Sequence, residues 1–139
     1  MSNDLYRQEI LEHYRHPQNF GRLKKPNFQA YKINPLCGDE IDLQISTDKS
    51  GRIKDVRFAG SGCALSIASS SLLTESLKGK SFSQLRKLKE NQVIKSLSGK
   101  ISPSRRKCVL LPFEALREIL NQLNSPLKVR GARGVIKRG

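Results

Sequence analysis

The chain has 139 residues, enough for one domain whose core needs no disulfide staples, and three widely spaced cysteines. Lys and Arg outnumber Asp and Glu by 26 to 12, a net charge of +14. No apolar run is long enough to span a bilayer, and the opening residues carry neither a signal-peptide core nor a transit-peptide composition. The expectation is a cytoplasmic protein with reduced thiols, in which metal binding or thiol chemistry is favoured over a disulfide framework. The final fifteen residues, "SPLKVRGARGVIKRG", hold five basic residues and no acidic one. They are expected to form a flexible basic tail, 125–139, behind a domain spanning 1–124. The domain alone keeps a charge of 14 − 5 = +9. Such charge suits a phosphate-bearing partner, but no RNA-binding aromatic motif or zinc-finger spacing accompanies it, so a solvated basic surface is the preferred reading.

In "NDLYRQEILEHYRHP", Tyr6, Ile10 and Tyr14 recur at helical spacing with Leu11 on the same flank, and Pro17 ends the helix. A loop with Gly21 and Pro26 leads to a weak extended segment, Phe28 to Ile33. Ile41, Leu43 and Ile45 then alternate with polar residues, the mark of a half-buried strand. "TDKSG" turns the chain into a return strand with Val56 and Phe58 inward; Ile53 is out of step with them. A helix is predicted from Ala64 to Lys78, capped by Gly79. Two short helices follow, around Phe82, Leu85 and Leu88 and around Val93, Ile94 and Leu97. A final long helix carries Leu116, Ile119, Leu120 and Leu123. The predicted class is α+β: a small antiparallel sheet of about three strands with helices packed on one face.

The chemistry-bearing residues lie at the joints of this pattern. In "NPLCGDE", Cys37 and Asp39 flank Gly38. Residues i and i+2 of a flat strand are about 6.6 Å apart, whereas two donors on one tetrahedral ion approach to roughly 3.5–4 Å. Gly38 permits the backbone angles that fold both inward. The same residues also suit a plain turn with Asp39 solvated. Cys63, in "AGSGCALSIASSS", opens a helix whose free N–H groups favour a thiolate. The two glycines before it imitate a dinucleotide fingerprint, but Leu65 and the missing βαβ unit exclude that. Ala68, Ser69, Ser70 and Ser71 let this helix lie close to whatever it packs on. Cys108 follows Arg105, Arg106 and Lys107, cations that also favour a thiolate. Each cysteine can equally be a small buried apolar residue. His13 and His16 read as surface or capping groups.

The segments "LYRQEILEHYRHPQNFG", "NPLCGDEIDLQI", "GSGCALSIASSSLLTESLKGK" and "RRKC", in this order, resemble the IscU/SufU family of iron–sulfur cluster assembly proteins, also called the NifU N-terminal domain family. The resemblance runs from about Leu5 to Leu123. It implies that Cys37, Asp39, Cys63 and Cys108 converge to bind zinc or a nascent iron–sulfur cluster, and that a cysteine desulfurase is the partner. Downstream assembly or acceptor proteins are implied as further partners, and no membrane or nucleic acid.

Two branches of the family are relevant. The scaffold branch, IscU, has a histidine before its third cysteine and a Leu-Pro-Pro-Val-Lys segment upstream; here Lys107 and "ISPSRR" stand there. The sulfur-acceptor branch, SufU, has Arg-x-Lys-Cys, which Arg105, Lys107 and Cys108 match, but it carries an insertion before the third cysteine that is missing here. The motifs lean to SufU. They imply a zinc-dependent sulfurtransferase in which Cys37 accepts persulfide sulfur and Arg105 assists ligand exchange, with a non-enzymatic scaffold as the alternative. A basic nucleic-acid-binding module with structural zinc is the outside alternative. Pro112 departs from the family's helical pattern, so the last helix is expected to start later or to kink beside the site.

Overall fold

The computed structural model describes residues 2–97 and 101–123; the expected tail at 125–139 lies outside them. Helix α1 (Ser2–Arg15) stops just before Pro17, where a helix must give way. Ile10 is in the core, but Tyr14, expected on the same stripe, is 44% exposed. Polar contacts fasten α1 instead. His13 Nδ1 lies 2.7 Å from the Ser71 hydroxyl, which also accepts from the Gln18 N–H at 2.8 Å.

Strands β1 (Phe28–Ile33), β2 (Glu40–Thr47) and β3 (Ile53–Ser61) form an antiparallel sheet in that order. Ile41, Leu43 and Ile45 are buried on one face, as their alternation predicts. Asp42 and Gln44 face the other way, yet they are buried too. The segment between α1 and β1 covers them. Asn19 and Gly21 hydrogen-bond to the Phe58 backbone on the outer edge of β3. The chain then crosses the sheet, where Arg22 pairs with Asp42 at 2.7 Å and the Leu23 N–H donates to Gln44 at 2.7 Å.

Ile53, whose face the pattern left open, is buried. A register shift explains it: Ser46 pairs with Asp55, but Thr47 pairs with Ile53, so Lys54 is an extra residue. That bulge rotates Ile53 onto the face of Val56.

The apolar face carries the helices. Helix α2 (Ala64–Leu77) rests on β3, and α5 (Pro103–Leu123) rests on β1, β2 and α2. Two short helices, α3 (Phe82–Leu85) and α4 (Glu90–Lys95), connect them. Gly79 follows α2 with φ +82°, but its N–H donates to the Ile53 carbonyl instead of closing the helix. Helix α5 begins with Pro103, where a missing N–H costs nothing, and the Ser102 carbonyl accepts from Arg105 and Arg106. It runs through Pro112, which rules out a later start.

Gly60 is a tight constraint in the sheet. Its φ is +144°, and a Cβ there would lie 2.1 Å from the Glu40 carbonyl oxygen. Gly51, in the β2–β3 turn with φ +87°, has open space around it. Gly60→Ala is expected to cost about 2–4 kcal/mol in urea unfolding, against about 1 kcal/mol for Gly51→Ala.

Candidate metal centre

The β1–β2 connection presents the first thiol. The Asn34 N–H donates to the Asp39 carbonyl at 2.8 Å, the Gly38 N–H to the Asn34 carbonyl at 2.7 Å, and the Leu36 N–H to Asn34 Oδ1 at 3.1 Å. Buried Asn34 therefore closes a small loop with Leu36 and Cys37 exposed at its tip. Gly38 has φ +80°, the left-handed conformation anticipated for it. No neighbour lies within 4 Å of where its Cβ would be, so the requirement is conformational and not steric.

This loop turns Asp39 inward, contrary to a solvated turn residue. Asp39 is 6% exposed, and its Oδ2 is buried without a hydrogen-bond partner among the described residues. A buried carboxylate oxygen left unpaired is costly unless a cation or proton satisfies it. Gly62 makes room for it. A Cβ there would sit 3.0 Å from Asp39 Cγ and 2.3 Å from the Ser66 hydroxyl. Asn34 was not singled out in the sequence, and Gly62 was read only as part of a false dinucleotide fingerprint; the Asn-Pro pair and the glycine directly before Cys63 are the signals that point to them.

Cys63 is the N-cap of α2, with extended φ −74° and ψ 171°, and it is exposed. Cys108 is buried in the second turn of α5. The helix is held there by the Ser69 hydroxyl, which donates to the Val109 carbonyl at 2.6 Å. The small residues of α2 thus serve the close approach expected of them.

Donor atoms of Cys37, Asp39 and Cys108 all lie within 4.8 Å of one another, with the Cys37 and Cys108 sulfurs 3.9 Å apart. Cys63 is outside that mutual distance, yet it is near enough to Cys108 to perturb its ionisation. Arg105 is exposed, and its guanidinium has no hydrogen-bond or ion-pair partner among the described residues; it is not brought to Asp39.

The Cys108 thiol is pushed up from 9.0 to about 12, first by burial, then by the charge of Cys63 and the hydrogen bond and charge of Cys37. This overturns the expectation that adjacent cations favour its thiolate. On the helix, Arg105 and Lys107 point to solvent and Arg106 leans to Glu90 at 3.9 Å, whereas Cys108 faces the other thiols. Two sulfurs and one unpaired carboxylate oxygen at this spacing fit a thiophilic divalent cation, which would compensate the charge that destabilises the thiolate.

The family model "NifU-like N terminal domain" matches residues 5–126. The chain belongs to this family. It is 39% identical over 119 residues to the iron–sulfur cluster assembly enzyme IscU of Drosophila melanogaster, covering 84% of this chain and 76% of that protein. It is 35% identical over 128 residues to the mitochondrial iron sulfur cluster assembly protein 1 of Yarrowia lipolytica, covering 90% and 70%. A crystal structure from Fervidobacterium islandicum, assigned as a SUF-system iron–sulfur cluster assembly scaffold protein, superposes with a TM-score of 0.70 at 28% identity, covering 81% and 94%. Both branch names of the family therefore occur among its likenesses. Among the described residues, no helix is long and apolar enough to cross a membrane.

Two outcomes are expected. With metal removed, the raised Cys108 pKa means that the fold prefers the neutral thiol. Stability is then full below pH 9.0 and is lost as pH rises towards about 12. Urea midpoints measured across this window should fall, and Cys108→Ala should remove that component of the slope. Gly62→Ala, which displaces the Asp39 carboxylate without altering a donor, should weaken zinc binding roughly 10–100-fold in competition with a chromogenic chelator.

Proposed function

We propose that this chain is an iron–sulfur cluster assembly protein in which Cys37, Asp39, Cys63 and Cys108 hold a metal and Cys37 accepts sulfur from a cysteine desulfurase. The observation that carries the metal site is the unpartnered buried Asp39 oxygen beside two thiols. Zinc fits this donor set, and when bound it supplies a positive centre that keeps thiols ionised near neutral pH. The proposed site is completed by Cys63, which already acts on Cys108.

The division of labour follows from exposure. Cys108 is buried on a long helix, so it anchors. Cys37 is exposed on a loop closed by Asn34 and hinged at Gly38, so it is the thiol that meets a donor. Its thiolate attacks the outer sulfur of a donor persulfide. The donor's S–S bond breaks, its cysteine leaves as a thiolate, and Cys37 becomes the persulfide. Arg105, exposed three residues before Cys108, is proposed to approach Asp39 and offset its charge when Cys37 turns outward. Cytoplasmic residence is also part of the proposal, although several relatives are named as mitochondrial.

A scaffold role is the second reading, favoured by the name of the Fervidobacterium structure. In that case the three thiols ligate the iron of a cluster, which is cargo, and Asp39 is the ligand most readily released.

Desulfurase turnover of cysteine, measured with and without this protein, separates the two. Cys37→Ala should abolish the stimulation, and Arg105→Ala should reduce it severalfold while zinc stays bound. If Cys37→Ala stimulates like the wild type, and iron with sulfide instead builds a visible chromophore on the protein, the scaffold reading replaces sulfur acceptance.

A further inference from the structure

A groove of about 470 Å³ opens between the α3–α4 connection and the outer face of α5. It shares no donor residue with the candidate metal centre. Leu88 is half-buried in its lining and Phe113 is buried beneath it; Arg86, Lys89 and Arg117 stand around it, and Glu90 is the one acidic residue among the described residues that line it. The cationic groups are partly preset. The Arg117 guanidinium lies 5.7 Å from the centre of the Phe113 ring, and Arg86 donates to the Leu120 carbonyl at 3.3 Å.

Charge in the groove is out of balance. Glu90 is shared between Arg106 and Arg117, each at 3.9 Å, too long for either to form a good hydrogen bond. Both arginines are thus under-compensated, and Lys89 has no carboxylate partner among the described residues, on a molecule whose net charge is already +14. The basic segment that follows Leu123 has the same sign, so it is a poor occupant. An external anionic chain with an apolar anchor matches both the rim and the apolar lining.

We propose that this groove is a docking surface for an acidic segment of a partner protein, with carboxylates paired to Lys89 and Arg117 and an apolar side chain over the half-buried Leu88. An apolar patch beside arginine forks would give such a segment its register and speed its association. Nucleic acid is a weaker match. Among the described residues its lining holds one aromatic residue, Phe113, a buried ring that already carries Arg117. Because Arg106 and Phe113 flank Cys108 on one helix, an occupant sits on the element that bears a proposed metal ligand.

The test is fluorescence anisotropy of the full chain with a labelled peptide of acidic residues around a central Leu-Phe pair. Lys89→Glu with Arg117→Glu should weaken binding at least tenfold. Lys24→Glu with Lys25→Glu, the same charge change elsewhere, should change it less than twofold. Glu90→Gln removes the internal competitor and should tighten binding two- to fivefold, whereas Glu75→Gln should not. Equal effects of the two double reversals would reduce the attraction to net charge and overturn the proposal. So would preferential binding of a single-stranded oligonucleotide that the groove variants abolish.

Discussion

The position of Cys108 depends on how closely α2 and α5 can approach. Ser66, Ala68, Ser69 and Ser70 are small and buried on α2, and the Ser69 hydroxyl reaches the Val109 carbonyl at 2.6 Å. A larger residue at position 69 would both lose that bond and push α5 away from the loop bearing Cys37. Pro112 makes the same place special from the other side. It has no N–H for the Cys108 carbonyl, so the helical ladder is weakened beside the thiol and one residue from the carbonyl that Ser69 holds. An external donor at this point fixes a stretch of helix that its own hydrogen bonds hold less firmly.

The site's other half is set by the sheet. The hairpin brings Ile33 opposite Glu40 and leaves a loop too short to wander, and Asn34 supplies three of its hydrogen bonds through backbone and side chain. Side-chain alternation then sends Asp39 to the interior and Glu40 to the surface, where it accepts from the Tyr31 hydroxyl. One carboxylate is satisfied by its strand neighbour. The other, next in sequence, is buried with an oxygen unpaired, and Gly62 leaves the space in which it lies. Such an arrangement costs stability in the absence of a cation, which is the usual mark of a site built for binding and not for folding.

The metal chemistry and the groove share helix α5 without sharing residues. Cys108 faces inward from it, whereas Arg106 and Arg117 face outward and meet at Glu90. The two faces differ in kind: the inner one is built on desolvation and sulfur, the outer one on exposed charge that solvent and salt moderate. A change on the outer face therefore reaches the thiol through the position of the helix, since the exposed charges are screened.

Much of this protein was legible in its sequence. Strict alternation identified β2, and helical spacing identified α1 and α5, because these signals are local and repeat with the period of the backbone; around Gly38 a solvated turn was an equally open reading, and only the fold turned Asp39 inward while leaving Cys37 exposed. The four candidate donors were named from motifs and resemblance, and the structure brings Cys37, Asp39 and Cys108 together, with Cys63 beside Cys108. Tertiary structure alone decided the rest. Ile53 needed the bulge at Lys54 to turn inward, and Asp42 and Gln44 became buried because a distant segment crosses them. Three cations next to Cys108 in the chain suggested a thiolate, but burial and two facing sulfurs push its pKa the other way. Sequence proximity describes which charges are attached nearby; ionisation answers to which charges, and how much water, a folded group actually faces.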